Sequence, residues 1–491
     1  MMNKNLLTGV PVGIKLGFLP AKRGCFDPAP AGAMRNRTVA VLNQLGSELG
    51  IEFVVPDEQR TGHGCVTTLD EAEYIAELFR RENVDGILLG AMNFGEESAV
   101  AWAIKKAALD VPILVFGCQE DETLTRNTVR RDSFCGLLSL CDVLRQIGVK
   151  YSVARTPICF PEDQSFAADI DWFQRVCRVV GGIKTARYAQ IGTRPDCFWT
   201  CRYNEKKLQK LGPTAVVCDL SEAFAEANGI GDDDPDYRRL LDDTLRYADC
   251  SQCDPKAIRR SAKFELFLRR FQQRHRIDGF GVQCWASIQH NYGCSACLTM
   301  SRLGNEGIPC ACEADILGTM SMHAALLAAG TPAGLADWNN LHNDDPELAT
   351  IWHCGVFPGV FAGTPIHIGD LGVQDAPPGH THGTVHFVSK PGPVTLFRVA
   401  QDVDSHWHAV VVEAAFEDNA AETAGCYGWC RVPNLQSLYR NVLLQHFPHH
   451  TGVVQEHHGN VLWEAFGNYF DMKMYHSEQV VPGLYTSQLP F

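Results

Sequence analysis

Apolar positions in the first third of the chain come in two alternating textures. Short compact runs, Ile14–Leu19, Ile51–Val55, Val84–Gly90 and Val111–Phe116, have the length and content of buried strands. Between them lie amphipathic stretches of helical period, about Ala33–Leu49, Leu69–Glu82 and Glu97–Ala108. Strands alternating with helices at this spacing predict a parallel, doubly wound sheet. After Phe160–Asp163 the texture repeats. A helix is expected at Ile170–Val180, strands at Thr185–Ile191 and Thr214–Asp219, polar helical sequence to about Arg274, and a strand at Gly279–Trp285. Beyond Cys354 the pattern switches to alternating apolar and polar residues in Gly383–Ser389, Pro393–Ala400 and His406–Glu413, bounded by Pro, Gly and Asp, which reads as antiparallel sheet or a small barrel. A closing helix is expected from Val461 to about Phe466. The predicted fold class is therefore α/β. Two N-terminal doubly wound parallel-sheet domains, residues 1–160 and 161–350, precede a C-terminal antiparallel, barrel-like β-rich domain, 351–491.

Length and charge narrow the function. With 491 residues, several cores are expected. A net charge of −14 argues against nucleic acid and anionic membranes as partners. The apolar residues from Leu6 to Ile14 are broken by Gly9, Pro11 and Gly13, so no secretory signal is expected. No apolar run is long enough for a membrane helix, and a cytoplasmic protein is the expectation. No phosphate-binding glycine fingerprint follows the first strand. Twenty cysteines read mainly as small buried hydrophobes. The pairs Cys250-x-x-Cys253 and Cys294-x-x-Cys297 leave a zinc knot as an alternative.

The candidate chemistry is concentrated between Pro309 and His353. Glu313 and Asp337 each stand where a short apolar segment ends, separated by the Ala/Leu/Met-rich run Ile316–Ala329, which has the look of a buried helix. A strand–helix–strand unit would bring both carboxylates to one edge of a parallel sheet, where open α/β sheets bind ligands. Together with His353, His449 and His450 they have the composition of a mixed oxygen/nitrogen site for Mn²⁺, Mg²⁺ or Zn²⁺. Plainer roles compete. Glu313 would sit in the first turn of the following helix and Asp337 would be an N-cap or turn residue. His353 would be a satisfied core histidine, and His449 and His450 a solvated loop pair.

Cys312-Glu313-Ala314-Asp315, Leu335-Ala336-Asp337, Ile351-Trp352-His353-Cys354-Gly355 and Pro448-His449-His450-Thr451-Gly452 together resemble the L-fucose/L-arabinose isomerase superfamily, closer to the fucose isomerase type. The resemblance implies interconversion of an aldose and a ketose through an enediol. It implies Mn²⁺, with Mg²⁺ or Co²⁺ as alternatives, bound by Glu313, Asp337 and His450, with His353 as a further ligand or a supporting residue. Glu313 and Asp337 would also be the acid/base pair, and Arg23, Gln283 and His446 would contact the sugar. A homo-oligomer, hexamer or trimer, is implied. A sulfonated hexose as substrate, or a non-catalytic sugar-binding member of the fold, are the alternatives.

Overall fold

The computed structural model describes residues 13–370, 376–418 and 423–476. The chain forms two compact units, one built on Pro11–Gly181 with Trp463–Asp471, the other on Gly182–Leu462 with the segment from Met472.

The first unit is organised by five parallel strands: β1 (Ile14–Ala21), β2 (Ile51–Val54), β3 (Gly86–Ala91), β4 (Ile113–Cys118) and β5 (Ser152–Cys159). They lie in the order β2-β1-β3-β4-β5. Every residue of β3 and β4 is buried, as the unbroken apolar runs predict for a sheet covered on both faces. The flanking helices start and stop on local chemistry. Asp27 caps Pro28–Leu49, with Pro28 in its first turn, and Gly50 ends it in the left-handed region at φ 71°. Thr68 and Glu71 form a capping box on Leu69–Glu82. The helix predicted at Ile170–Val180 is longer, Gln164–Thr185. The segment Trp463–Asp471 rejoins this unit. Ser152 Oγ donates to Glu464 at 2.7 Å, Asn468 to the Tyr151 carbonyl at 2.8 Å, and Tyr469 OH to the Ile113 carbonyl at 3.3 Å.

The second unit carries two sheets. Four parallel strands, β6 (Arg187–Ile191), β7 (Thr214–Cys218), β8 (Gly279–Val282) and β9 (Cys310–Ala311), lie in the order β7-β6-β8-β9. The other sheet contains β10 (Ala333–Leu341), β11 (Leu348–His353), β12 (His367–Asp370), β13 (His382–Val388), β14 (Gly392–Gln401), β15 (Trp407–Phe416), β16 (Cys426–Arg431), β17 (His450–Gln455) and β18 (Lys473–Tyr475). Six of these, β16-β11-β10-β17-β14-β15, close on themselves through β15–β16 as an antiparallel barrel, with β12, β13 and β18 added outside the ring.

One sequence expectation is corrected here. Glu313 and Asp337 do not share a parallel sheet edge, because β10 pairs antiparallel with β11 and β17 in the barrel. The cause lies in the intervening helix, Ile316–Ala329. All of its residues but the last are buried, so it needs cover on every side. It packs on β8 and β9 toward the parallel sheet and on β14 and β17 toward the barrel. The chain leaving it therefore changes sheets. No helix among the described residues is long and apolar enough to cross a membrane.

Candidate active site

The site sits where that sheet change occurs. At the end of β9 the backbone turns through two successive left-handed residues, Glu313 (φ 60°) and Ala314 (φ 54°). Such a conformation is costly for residues with a Cβ, and its occurrence beside a cluster of ligand-type groups marks a position held for function. The following residue, Asp315, caps the helix by accepting from Gly318 N at 2.8 Å. Glu313 therefore stands before the helix, not in its first turn.

The barrel supplies the facing groups. Asp337 on β10 is the register partner of His450, the first residue of β17. His353 ends β11, the other neighbour of β10. His450 Nε2 lies 3.2 Å from Glu313 Oε2 and 3.6 Å from Asp337 Oδ1. The His353 and His450 rings are 5.6 Å apart. His449 Nε2 is 3.8 Å from Asp337, with its ring beside Phe198 at 6.2 Å. Asp337 is thus a strand residue, not a cap, and His450 is fully buried, not part of a solvated loop.

Behind the ligand-type atoms stands an anchoring network. Arg398 donates to both oxygens of Asp315, at 2.6 and 3.1 Å, and His450 Nδ1 donates to Asp315 Oδ2 at 2.8 Å. Burial would raise the Asp315 carboxyl, but the Arg398 charge and the His450 contact outweigh it and hold the group well below the usual carboxylate range. An ionised Asp315 fixes the His450 proton on Nδ1 and turns the Nε2 lone pair toward Glu313 and Asp337. His353 is oriented in the opposite sense. Its Nδ1 accepts the Cys354 N–H at 2.9 Å, so the neutral ring carries its proton on Nε2. In that tautomer His353 Nε2, buried without a protein partner, is a donor.

These residues fit a divalent cation. Asp337 Oδ1 and His450 Nε2 are buried acceptors that no protein group hydrogen-bonds. Each of Asp337, His353 and His450 offers an atom within 4.8 Å of the others, as does each of Glu313, His449 and His450. Ligand atoms on one small cation are roughly 3 Å apart, close to the spacing seen here. The electrostatics agree. Burial disfavours a charged His353, yet Cys354 and Asp337 raise it to about 9. Burial likewise opposes charge on His450, yet Asp315, Cys201 and Glu313 raise it well above the usual value. The pocket favours positive charge that its own side chains supply only by protonation.

A cavity of about 550 Å³ opens beside this cluster. Cys201 and Ala314 line it, and Cys201 Sγ is 3.9 Å from Glu313 Oε2. Gln283 also lines it, with its Oε1 accepting from Thr193 N at 2.8 Å. Its place is set by topology. Thr193 and Gln283 follow β6 and β8, the two strands between which the strand order reverses. His446 lines a neighbouring cleft of about 960 Å³ that shares Arg202 and Tyr203 with the cavity. Arg23 belongs to the first unit, at the equivalent reversal between β1 and β3, where it pairs with Glu97 at 2.6 Å and lies 4.1 Å over the Phe94 ring.

Several site residues were not singled out from sequence. Asp315 stands inside the Cys312–Asp315 motif, where the sequence alone assigns it no role. Arg398 has a legible signal, an arginine in the apolar strand Val394–Ala400, since a charge there needs a buried partner. Cys284, Cys312, Cys354 and Cys297 form a thiol chain beside His353, with contacts of 2.9 Å between Cys284 and Cys312 and 3.9 Å between Cys297 and Cys354, and with Cys312 and Cys354 within 4.8 Å of one another. Sequence spacing gave no hint of it. Cys250 and Cys253, weighed as half of a zinc knot, face the Ala248 and Ile368 carbonyls.

Two family descriptions match the chain. Residues 17–184 match the N-terminal domain of fucose/sulfoquinovose isomerase, and residues 353–477 the C-terminal domain of L-fucose isomerase. Similar proteins include a sulfoquinovose isomerase of Priestia aryabhattai, 23% identical over 420 residues, covering 82% of this chain and 87% of that protein. A sulfoquinovose isomerase of Alkalicoccus urumqiensis is 26% identical over 328 residues, 66% of this chain and 70% of that protein.

Proposed function

The chain belongs to the L-fucose isomerase-like family of aldose–ketose isomerases, and on that premise we propose that it interconverts the aldose and ketose forms of a sulfonated hexose with a divalent cation, Mn²⁺ foremost, in the site described above. The observation that carries the metal is the pair of buried acceptors without protein donors, Asp337 Oδ1 and His450 Nε2, facing Glu313. Glu313, Asp337 and His450 would hold the ion. When bound, it polarises the sugar carbonyl and stabilises the negative charge that develops in the enediol. The chain does the proton work. Glu313 and Asp337 take the proton from one of the two reacting carbons and return it to the other. His353, with its proton on Nε2, donates to a sugar oxygen. The sulfonated substrate is supported by the similar proteins, all named as sulfoquinovose isomerases. Twenty cysteines suit a reducing cytoplasm, and a hexamer or trimer is the expected assembly, to be read by light scattering.

The test is to load the protein with Mn²⁺, add a sulfonated aldohexose in D₂O, and follow ketose formation and deuterium entry at C2 by NMR. Interconversion abolished by a chelator and restored by Mn²⁺ is expected. Full turnover by metal-free protein would overturn the metal, and no turnover of any sulfonated sugar the substrate class.

A further inference from the structure

The cavity beside Glu313 contains two arginines that no motif picked out. Arg194 follows β6. Its Nη1 donates to the carbonyls of Pro195 at 3.0 Å and Asp196 at 3.1 Å, leaving Nε and Nη2 uncommitted. Arg202 has its guanidinium carbon 4.1 Å from the centre of the Trp199 ring, a contact that positions the group. Among the described residues neither arginine pairs with a carboxylate. Arg37, Arg131, Arg269, Arg398 and Arg431, by contrast, are each paired with a carboxylate. Both arginines line the same cavity, with Asp196 as the acidic side chain on that wall. Two guanidinium groups against one carboxylate leave an excess of one positive charge.

We propose that Arg194 and Arg202 form the subsite that binds the sulfonate of the substrate, with the cavity spanning from this clamp to the metal site. The proposal rests on the isomerase reading above and adds the residues that select the substrate. A sulfonate is a permanent monoanion with three acceptor oxygens, which suits the excess charge and the planar donor forks of arginine. Lysine would supply charge without the fork. Cys201, 3.9 Å from Glu313 Oε2, and Ala314, next in sequence to Glu313, line the same cavity, so a sugar anchored by its charged end at the arginines occupies a cavity that borders the carboxylates. The clamp and Gln283 both stand on loops at the strand-order reversal of the parallel sheet, the usual place for a ligand in such a fold. Gln283 has its oxygen tied to Thr193, which leaves its amide donors for hydroxyls between the two ends.

The experiment has two arms. In the first, binding of a sulfonated aldohexose to metal-free protein is measured by calorimetry, for wild type, Arg194→Gln, Arg202→Gln and the double variant. Wild-type affinity should fall with added salt, each single variant should bind about 10–100-fold more weakly, and Arg202→Lys should lie between wild type and Arg202→Gln. Undiminished affinity in the double variant, or no binding by wild type, overturns the clamp. In the second arm, kcat/KM of the Mn²⁺-loaded enzyme is compared for the sulfonated sugar and the same sugar lacking the sulfonate. The ratio should collapse at least about 30-fold in the double variant, chiefly through KM. An unchanged ratio overturns the clamp. A wild-type enzyme that binds the sulfonated sugar in the first arm but never isomerises it overturns the isomerase reading and leaves the clamp standing.

Discussion

At the scale of single residues, the site separates groups that would touch the ion and sugar from groups that aim them. Glu313 is predicted to be both ligand and proton carrier. Glu313→Gln keeps an oxygen that ligates weakly but removes the proton acceptor. The variant should retain measurable Mn²⁺ and lose C2-proton exchange by at least ~10²-fold. Near wild-type exchange in the metal-loaded variant would transfer the role to Asp337. Asp315 aims without touching. Asp315→Asn keeps an oxygen for the Gly318 N–H but strips the charge that faces Arg398 and His450. Arg398, only 2% exposed, would then be buried without a counter-charge. Urea unfolding should show a loss of about 3–5 kcal/mol. Metal titration should show affinity weaker by about 10–100-fold as the His450 tautomer is released. Wild-type values in both measurements would make the network ornamental.

At the scale of elements, the helix Ile316–Ala329 joins the parallel sheet to the barrel and is buried on all sides, including a histidine. His323 accepts or donates at 3.1 Å to Tyr188 OH, and burial pushes its pKa down to about 4. The folded value lies below the unfolded value of 6.5, so the unfolded chain binds the extra proton between those pH values. Stability is therefore present above pH 6.5 and is lost as pH falls toward 4. The slope reaches about 1.4 kcal/mol per pH unit and the total is about 3 kcal/mol. His323→Phe should flatten the denaturation midpoint against pH across that window. A profile parallel to wild type would assign the acid sensitivity elsewhere.

At the scale of the whole molecule, the segment Trp463–Asp471 completes the first unit. Tyr469 OH bonds Ile113 on β4 and contacts Ser152 on β5 at 2.8 Å, across more than three hundred residues of sequence. Tyr469→Phe leaves the Ile113 carbonyl and its neighbours short of a partner. It should cost about 1–3 kcal/mol and speed hydrogen exchange in β4 and β5 before the barrel strands. Unchanged exchange in those strands would show that the tail is dispensable to the sheet. The same tail shows how far connectivity and compactness diverge. The expected boundaries at 160 and 350 follow changes in local texture, whereas the tail packs by contact.

The local periodicities determined a great deal. Leu69–Glu82 and Ile316–Ala329 have the limits read from sequence, and the three alternating stretches after Cys354 became β13, β14 and β15. Side-chain period and capping act over a few residues, so they are written locally. The motifs around Glu313, Asp337, His353 and His450 were equally legible as ligand-type chemistry. Tertiary structure alone decided their grouping. Asp315 meets Arg398 83 positions away and His450 135 positions away, and no local rule selects such partners. It also decided that β10 leaves the parallel sheet for the barrel, because a helix apolar on every face must be covered on every face. For the same reason the two unpaired arginines became a candidate clamp only once β6 and β8 were seen side by side, since a cavity is a property of the strand order.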